Sequence, residues 1–310
     1  MQIYLPIAEI SLNLFFLIGI GGAVGFLSGL FGIGGGFLLT PLLIFSGIPA
    51  PVAVASVTGQ VAAASTSGAL SYFRRNGIDF HLALYLIISG IIGAFGGVAA
   101  FSALRDAGHL DLVISLGYLV FLGFIGLTML NESIRSLIRN MKGVSTPLKL
   151  PGQHNWVHGL PLRIRFKRSN LYVSVLPVLL IGASIGFLGA LLGIGGGFIL
   201  VPALIYILRV PGNVVIGTSL VQVIAIMAAS TILHSINSQS VDILLAFCLM
   251  VGGVVGAQFG ASVGVHLRGD QLRALLAILV LGVAIRFALT LFIEPNDLFS
   301  MAILRISGAG

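Results

Sequence analysis

The chain has 310 residues, of which 57% are apolar and only 8% are charged. A soluble domain carries roughly 25% charged residues, so this composition excludes a water-soluble globule of this size. The single cysteine, Cys248, excludes an internal disulfide. The composition predicts a polytopic membrane protein whose outer surface lies against lipid.

Continuous apolar runs follow one another along the chain, each near the roughly 20 residues that span a bilayer. The strands of a membrane barrel alternate apolar and polar side chains over about ten residues, and these runs do not. We therefore predict transmembrane helices, in an all-α polytopic membrane protein. The runs cover residues 12–31, 50–73, 80–103 and 110–130.

The net charge of +7 is concentrated in one segment between the apolar blocks. Residues 135–168 hold eight of the 16 Lys and Arg residues and no Asp or Glu. Loops rich in Lys and Arg remain on the cytoplasmic side of a membrane. The segment is therefore interpreted as a cytoplasmic loop, and no nucleic-acid partner is expected.

The chain contains two copies of one unit. One copy reads GGAVGFLSGLFGIGGGFLLTP from Gly21, and the other reads GASIGFLGALLGIGGGFILVP from Gly182, at an offset of 161 residues. Gln60 matches Gln222 one residue further on. The predicted divisions are a first transmembrane repeat over 1–132, a basic cytoplasmic linker over 133–170 and a second transmembrane repeat over 171–310.

Each unit begins with an apolar stretch that glycines interrupt, at 32–36 and 193–197. Glycine weakens a helix by about 1 kcal/mol relative to Ala, so two helical pieces are expected there, followed by three longer helices.

One crossing of the membrane by the broken stretch gives four crossings per unit and parallel units. A re-entrant hairpin gives three and a two-span hairpin gives five, and either odd number inverts the second unit. Inversion places 13 Lys and Arg residues on the linker side against 11 for parallel units, so inversion is favoured.

Neutral hydrogen-bonding side chains, rather than carboxylates, occupy the predicted helix interiors. All nine Asp and Glu residues lie near helix ends or in loops, which argues against a cation as the main substrate. Hydroxyl and amide groups, with backbone N–H groups at helix N-termini, can bind an anion without a full charge. The predicted substrate-binding residues are Gly34, Gly35, Gly36, Ser56, Thr58, Gln60, Gly195, Gly196, Gly197, Thr218, Ser219 and Gln222.

Structural roles compete with this interpretation. Gly21, Gly25 and Gly29 recur every four residues, a spacing that suits close helix packing. Ser and Thr also bond back to the backbone inside membrane helices. For Gln60 and Gln222 binding is favoured, because an unpaired amide in lipid is costly. The sequence has no metal-ligand, paired-carboxylate or nucleophile pattern, so no metal, cofactor or enzymatic activity is predicted.

The paired Gly-Ile-Gly-Gly-Gly-Phe…Pro segments, followed by Ala-Ser at 55–56 and Gly-Thr-Ser-Leu at 217–220, resemble the sulfite exporter TauE/SafE family of membrane permeases. The resemblance covers both repeats. It is closer in the second, because Ser-Val-Thr at 56–58 stands where the family has Thr-Ser-Leu. It implies movement of small sulfur-containing anions or organosulfur acids, often as export.

The leading hypothesis is a permease of the cell (inner) membrane that binds a small sulfur-containing anion between its two repeats. A passive channel for the same solutes is one alternative, and a membrane scaffold or sensor that acts through the linker is another. The expected partners are the small anion and the lipid bilayer, and a homo-oligomer is left open.

Overall fold

The computed structural model describes residues 2–31, 34–74, 77–141, 163–166, 171–208, 210, 212–264 and 269–292. Within these ranges the chain is mostly α-helical, with two short β-hairpins. In chain order the elements are β1 (Gln2–Leu5), β2 (Ile10–Asn13), α1 (Leu14–Phe31), α2 (Gly36–Phe45), α3 (Ala50–Arg74), α4 (Phe80–Asp106), α5 (Leu110–Met141), β3 (Arg163–Phe166), β4 (Leu171–Ser174), α6 (Val175–Leu192), α7 (Gly197–Tyr206), α8 (Gly212–Leu233) with a π-helical turn (His234–Ser238), α9 (Ile243–Gly264) and α10 (Gly269–Phe292).

Among the described residues, six helices are long and apolar enough to cross a membrane. The predicted all-α polytopic membrane protein is thereby confirmed for the described part of the chain. Helices α2 and α7 have ten residues each, which is about 15 Å of helix and half the thickness of a bilayer core. The six helices are Leu14–Phe31, Phe80–Asp106, Leu110–Asn131, Val175–Leu192, Val214–Ser238 and Ile243–Val263.

Left-handed glycines separate α1 from α2 and α6 from α7. Gly34 and Gly35 have φ angles of +88° and +68°, and Gly195 and Gly196 have φ angles of +80° and +71°. Residues with a Cβ rarely adopt this region. The chain therefore breaks at these glycines, and α2 and α7 begin directly after them, where the sequence predicted a second helical piece.

Small residues bring helices of different repeats into close contact. Gly25 of α1 lies against Gly253 of α9, and Gly186 of α6 lies against Gly90 of α4. A Cβ at Gly25 or Gly186 would overlap the facing backbone, so these helix pairs depend on glycine. The first helix of each repeat thus packs on the third long helix of the other, which is the packing role that the four-residue glycine spacing indicated.

The central helices α3 and α8 run antiparallel. The Oγ1 atoms of Thr58 and Thr231 are 2.8 Å apart, whereas Gly68, further along α3, faces Leu220, which comes earlier in α8. The outer helices α5 and α10 are antiparallel in the same way. The pairs α1 with α9 and α4 with α6 run parallel.

Each repeat opens with a β-hairpin that the sequence analysis did not predict. Strand β1 pairs with β2 directly before α1, and β3 pairs with β4 directly before α6, at the same offset of 161 residues as the glycine segments. Strand β3 lies inside the range 133–170 that was predicted as linker. Residues 142–162 and 167–170 of that range lie outside the described residues.

Candidate functional site

The two glycine breaks meet in the protein interior. The rings of Phe37 and Phe198, each the second residue of its short helix, stack with centroids 4.4 Å apart and planes 7° apart. Both side chains are buried. Gly36 lies against the backbone of Gly193 and Ile194. The N-terminal ends of α2 and α7 therefore come together where the two repeats join.

Some of the backbone N–H groups at these helix ends are already bonded. The Gly36 N–H donates to the Gly34 carbonyl at 2.9 Å, and the Gly197 N–H donates to the Gly195 carbonyl at 2.9 Å. Both bonds follow from the left-handed turn that precedes each helix. An anion bound at the N–H groups of Gly36 and Gly197, two of the predicted site residues, would have to replace these bonds.

Two of the predicted hydroxyl residues join one repeat to the other. The Asp242 N–H donates to Ser56 Oγ at 2.9 Å, and the Asp79 N–H donates to Thr218 Oγ1 at 3.0 Å. These bonds are equivalent in the two repeats. Ser56 and Thr218 therefore contribute to the contact between α3 and α9 and between α8 and α4.

The two aspartates in these bonds also cap helices. Asp79 Oδ1 accepts from the Leu82 N–H at 3.2 Å at the start of α4. Asp242 Oδ1 accepts from the Leu245 N–H at 3.0 Å at the start of α9. A side-chain acceptor at this position satisfies one of the unpaired N–H groups of a helix N-terminus, so both carboxylates have a structural role.

The other two predicted hydroxyls also have partners. Thr58 Oγ1 donates to the Ala55 carbonyl at 2.6 Å and shares a hydrogen bond with Thr231. Ser219 Oγ donates to the Ile216 carbonyl at 2.8 Å. Such bonds to the preceding turn are the alternative role that the sequence analysis considered for Ser and Thr.

Gln60 and Gln222 differ from these hydroxyls. Both side chains are 0% exposed, and the Nε2 and Oε1 atoms of both have no hydrogen-bond partner among the described residues. Gln60 lies against Gly253 of α9, and Gln222 lies beside Gly90 of α4, so a glycine makes room for each amide. Buried polar atoms without protein partners indicate water or a ligand.

Two further hydroxyls without partners were missing from the predicted site. Ser65 Oγ and Ser230 Oγ are buried and have no hydrogen-bond partner among the described residues. Ser65 faces the first break, because a Cβ at Gly34 would lie 3.4 Å from its Oγ. Ser230 follows Gln222 by eight residues, so the two side chains lie on one face of α8. That eight-residue spacing was the available signal for Ser230.

The described ranges contain no group of three or more His, Cys, Asp and Glu side chains that could hold a metal ion. The buried side-chain polar atoms that have no hydrogen-bond partner among the described residues belong to amides and hydroxyls. Their chemistry suits the oxygen atoms of an anion or of water, which accept hydrogen bonds from amides and hydroxyls.

A family model described as sulfite exporter TauE/SafE matches residues 17–287. The chain belongs to the sulfite exporter TauE/SafE family. The matched range includes both glycine breaks and both buried glutamines, so the resemblance that the glycine and proline segments suggested is confirmed. This TauE/SafE protein is therefore a member of a membrane transporter family.

Relatives of this TauE/SafE protein come from bacteria and an archaeon. It is 30% identical to a probable membrane transporter protein of Xylella fastidiosa (strain 9a5c), with 88% of this chain and 94% of the relative covered. It is 28% identical to the probable membrane transporter protein YjnA of Bacillus subtilis (strain 168), with 83% and 93% covered. It is 26% identical to the probable membrane transporter protein MJ0441 of Methanocaldococcus jannaschii, with 87% and 93% covered. No solved structure matches the chain.

Proposed function

We propose that the protein is a permease of the cell membrane for a small sulfur-containing anion of the sulfite, thiosulfate or organosulfonate class. The observation that carries this proposal is the pair of fully buried amides, Gln60 and Gln222, whose donors and acceptors have no partner in the part of the chain that the structure describes. They occupy equivalent positions in the two repeats of a TauE/SafE family member. Family membership supports the substrate class.

The substrate contacts are proposed to come from both repeats. Gln60 and Ser65 with the break at Gly34 and Gly35 form the first half of the site, and Gln222 with the break at 195–196 forms the second. A carboxamide offers two N–H donors to an anion, and these donors are stronger in a water-poor interior than in water. Neutral donors bind the anion without holding it as tightly as a buried Lys or Arg would, which suits its release.

The hydroxyl residues of the predicted site receive a different role in this proposal. Ser56 and Thr218 hold the repeats together through the N–H groups of Asp242 and Asp79. They position the helices that carry the glutamines, because each lies one helical turn before the glutamine of its own helix. We therefore expect their loss to weaken the fold and the site together.

We infer that the repeats are inverted, with five membrane segments each. The antiparallel contacts of α3 with α8 and of α5 with α10 support inversion, since parallel repeats would orient equivalent helices alike. Gly36 at the start of α2 lies against Val61 in the middle of α3, and residues 46–49 connect the far ends of both helices. Helix α2 thus runs back over about half of the membrane, so α1 and α2 form a hairpin that starts and ends on the same side of the membrane.

The experiment that tests the proposed function measures ligand binding through thermal stability. A ligand that binds the folded state raises its apparent stability by mass action, by about 2.7 kcal/mol at a concentration of 100 Kd. Purified protein is heated with sulfite, thiosulfate, sulfate, isethionate or acetate. We expect at least one of the sulfur anions to raise Tm and acetate not to do so. A panel without any shift would contradict the proposal.

A matched set of variants separates site from fold. Gln60→Leu and Gln222→Leu remove the donors from the proposed site, whereas Gln258→Leu removes an exposed amide from α9. The anion-dependent shift is expected to disappear in the first two variants and to remain in the third. An equal shift in all three would remove the glutamines from the site.

A further inference from the structure

His234 is a buried imidazole at the end of α8, where the helix widens into the π-helical turn His234–Ser238. Its side chain is 0% exposed, and its ring packs edge-on against Phe101 of α4 with centroids 4.6 Å apart. π-Helical turns within α-helices occur frequently at functional sites. The proposed anion site does not include this residue.

The contacts of the ring define which nitrogen carries the proton. Nε2 lies 2.9 Å from the Ala190 carbonyl oxygen of α6, and because a carbonyl can only accept, Nε2 carries hydrogen. In the neutral ring Nδ1 is therefore an acceptor, and Ser238 Oγ lies 3.5 Å from it. A proton bound at Nδ1 would reverse this contact, so that Nδ1 donates and Ser238 Oγ accepts.

An arginine from a different helix holds the same turn. Arg105 Nη1 donates to the Ser238 carbonyl and, at 2.8 Å, to Ser240 Oγ. Ser102 Oγ lies 3.5 Å from Ser238 Oγ. A protonated His234 would therefore place two positive charges on either side of Ser238. Like charges repel, and a nearby anion would relieve the repulsion.

Among the described residues, no carboxylate is hydrogen-bonded to His234 or Arg105. Asp242 at the start of α9 is engaged by the N–H groups of Ile7 and Leu245. Asp106 and Glu9 are exposed at the same end of the protein. Helix α6 has no ionisable side chain over Val175–Leu192.

A line of polar side chains connects this turn with the proposed anion site. Gln222, Ser230 and His234 follow at intervals of eight and four residues along α8, and contacts of the first and the last define the face of α8 that lies against α4. Gln222 lies beside Gly90 and His234 packs on Phe101, both in α4. Ser230, between them, is buried with an unpartnered hydroxyl. The face extends about 18 Å from Gln222 to His234 at 1.5 Å per residue.

We propose that His234 binds a proton and that this proton moves through the protein in the same direction as the anion. The inference rests on the proposed function and names the co-substrate of that site. One proton enters at Nδ1 and converts imidazole to imidazolium, whose charge with that of Arg105 attracts one anion to the α8 face. The proton and the anion leave on the other side of the membrane, and the neutral ring returns to its contact with Ser238. An imidazole suits this role, because it can gain and lose a proton at Nδ1 while Nε2 keeps its hydrogen bond to the Ala190 carbonyl.

The test uses purified full-length protein in liposomes that contain a pH-sensitive dye. Thiosulfate and isethionate are added outside in turn, because neither carries a titratable proton in this pH range. Wild-type protein is expected to acidify the interior when the anion enters. His234→Gln keeps an N–H donor for Ala190 but has no basic nitrogen. We expect anion-evoked acidification by His234→Gln to be at least tenfold weaker than that by wild type. Labelled anion should still exchange across the membrane within about threefold of the wild-type rate.

Two further variants keep the test informative if His234→Gln does not fold. His81→Gln changes an exposed histidine at the start of α4 and is expected to acidify as wild type does. Ser230→Ala removes the unpartnered hydroxyl next to His234, and we expect it to slow acidification about tenfold even where His234→Gln cannot be purified.

The outcomes distinguish this inference from the proposed function. Anion entry without acidification in wild type, or full acidification in His234→Gln or Ser230→Ala, would overturn the proton site and leave the permease intact. Absence of any anion entry or exchange in wild type would overturn the permease, and the proton site with it.

Discussion

Phe37 and Phe198 stack face to face across the junction of the two repeats, with 4.4 Å between ring centroids. They are equivalent residues, separated by the repeat offset of 161, so their contact joins the same position of both repeats. Each directly follows the glycines of its own break. Any relative movement of the repeats in a transport cycle therefore has to slide or separate these rings.

Substitution of the two glutamines should slow anion transport without lowering thermal stability. Replacing Gln60 or Gln222 by Leu removes amide atoms that have no partner among the residues the structure describes, and an unpaired buried polar group costs about 1–3 kcal/mol. We expect each variant to purify with an unchanged or higher Tm and to transport anion at least tenfold more slowly. Melting curves and anion uptake on the same preparations test this. A lower Tm with proportionally lower uptake would indicate a packing role.

The role of the first glycine break in anion binding can be tested by comparing Gly34, which lies in the break, with Gly47, which lies outside it. Gly34 and Gly47 have φ angles of +88° and +89°, so Ala at either position adds about 1–2 kcal/mol of backbone strain. A Cβ at Gly47 has no atom within 4 Å, whereas at Gly34 it lies in ordinary contact with Ser65. We expect similar losses of Tm in both variants and weaker anion binding in Gly34→Ala alone. Equal binding in both would exclude the first break from the site.

Gly35 is expected to respond more strongly than Gly34. Its φ angle is +68°, and a Cβ there would lie 2.9 Å from Ser28 Cβ. Overpacking of this kind costs about 1–3 kcal/mol in addition to the strain. Gly35→Ala should therefore melt below Gly34→Ala in thermal denaturation. The equivalent change, Gly196→Ala, should behave alike, because Ile185 Cγ2 lies 2.6 Å from the added Cβ.

The contact between α1 and α9 predicts opposite effects for two glycines of one helix. A Cβ at Gly19 has no atom within 4 Å, whereas at Gly25 it would overlap the backbone of Gly253. Gly19→Ala should raise stability by up to about 1 kcal/mol through helix propensity. Gly25→Ala should lower it, because the helices have to separate. Tm values of the two variants test this expectation, and equal Tm values would argue against the close contact between α1 and α9.

Much of the helical framework was predictable because each helix has its signal in its own residues. Apolar runs predict membrane helices, and the glycines at 34–36 predict the start of α2. The β-hairpins were not predictable in the same way, because their strands have only four residues each. The spacing of Gly21, Gly25 and Gly29 indicated packing but not the partner, since the contact with α9 is made by residues more than 200 positions away.

The candidate site was predictable in part for a related reason. Repetition of Gln60 at Gln222 singled out both amides, whose unpartnered state is now a structural observation. The hydrogen bonds of Ser56 and Thr218 could not be predicted from the sequence, because their partners Asp242 and Asp79 belong to the other repeat. A hydroxyl in a membrane helix has the same sequence signature whether it binds substrate or backbone.

The proposed inverted topology predicts a labelling pattern that can be measured in cells. On a Cys248→Ala background, cysteines introduced one at a time at Lys149, Gln2 and Gly310 are treated with a reagent that does not cross the membrane. The linker position should be protected in intact cells, and the two positions near the chain ends should react. Protection of the position at 310 would place the C-terminus in the cytoplasm and favour parallel repeats.

Counterflow of labelled anion in proteoliposomes tests the central claim most directly, namely that the buried amides of Gln60 and Gln222 bind a transported sulfur anion. Vesicles loaded with unlabelled sulfite, thiosulfate or isethionate are diluted into a trace of the same labelled anion. For at least one of the three, wild-type protein should accumulate label transiently above equilibrium, and the Gln60→Leu, Gln222→Leu double variant should not. Equilibration without accumulation would indicate a passive channel, and equal accumulation by the double variant would contradict the assigned site.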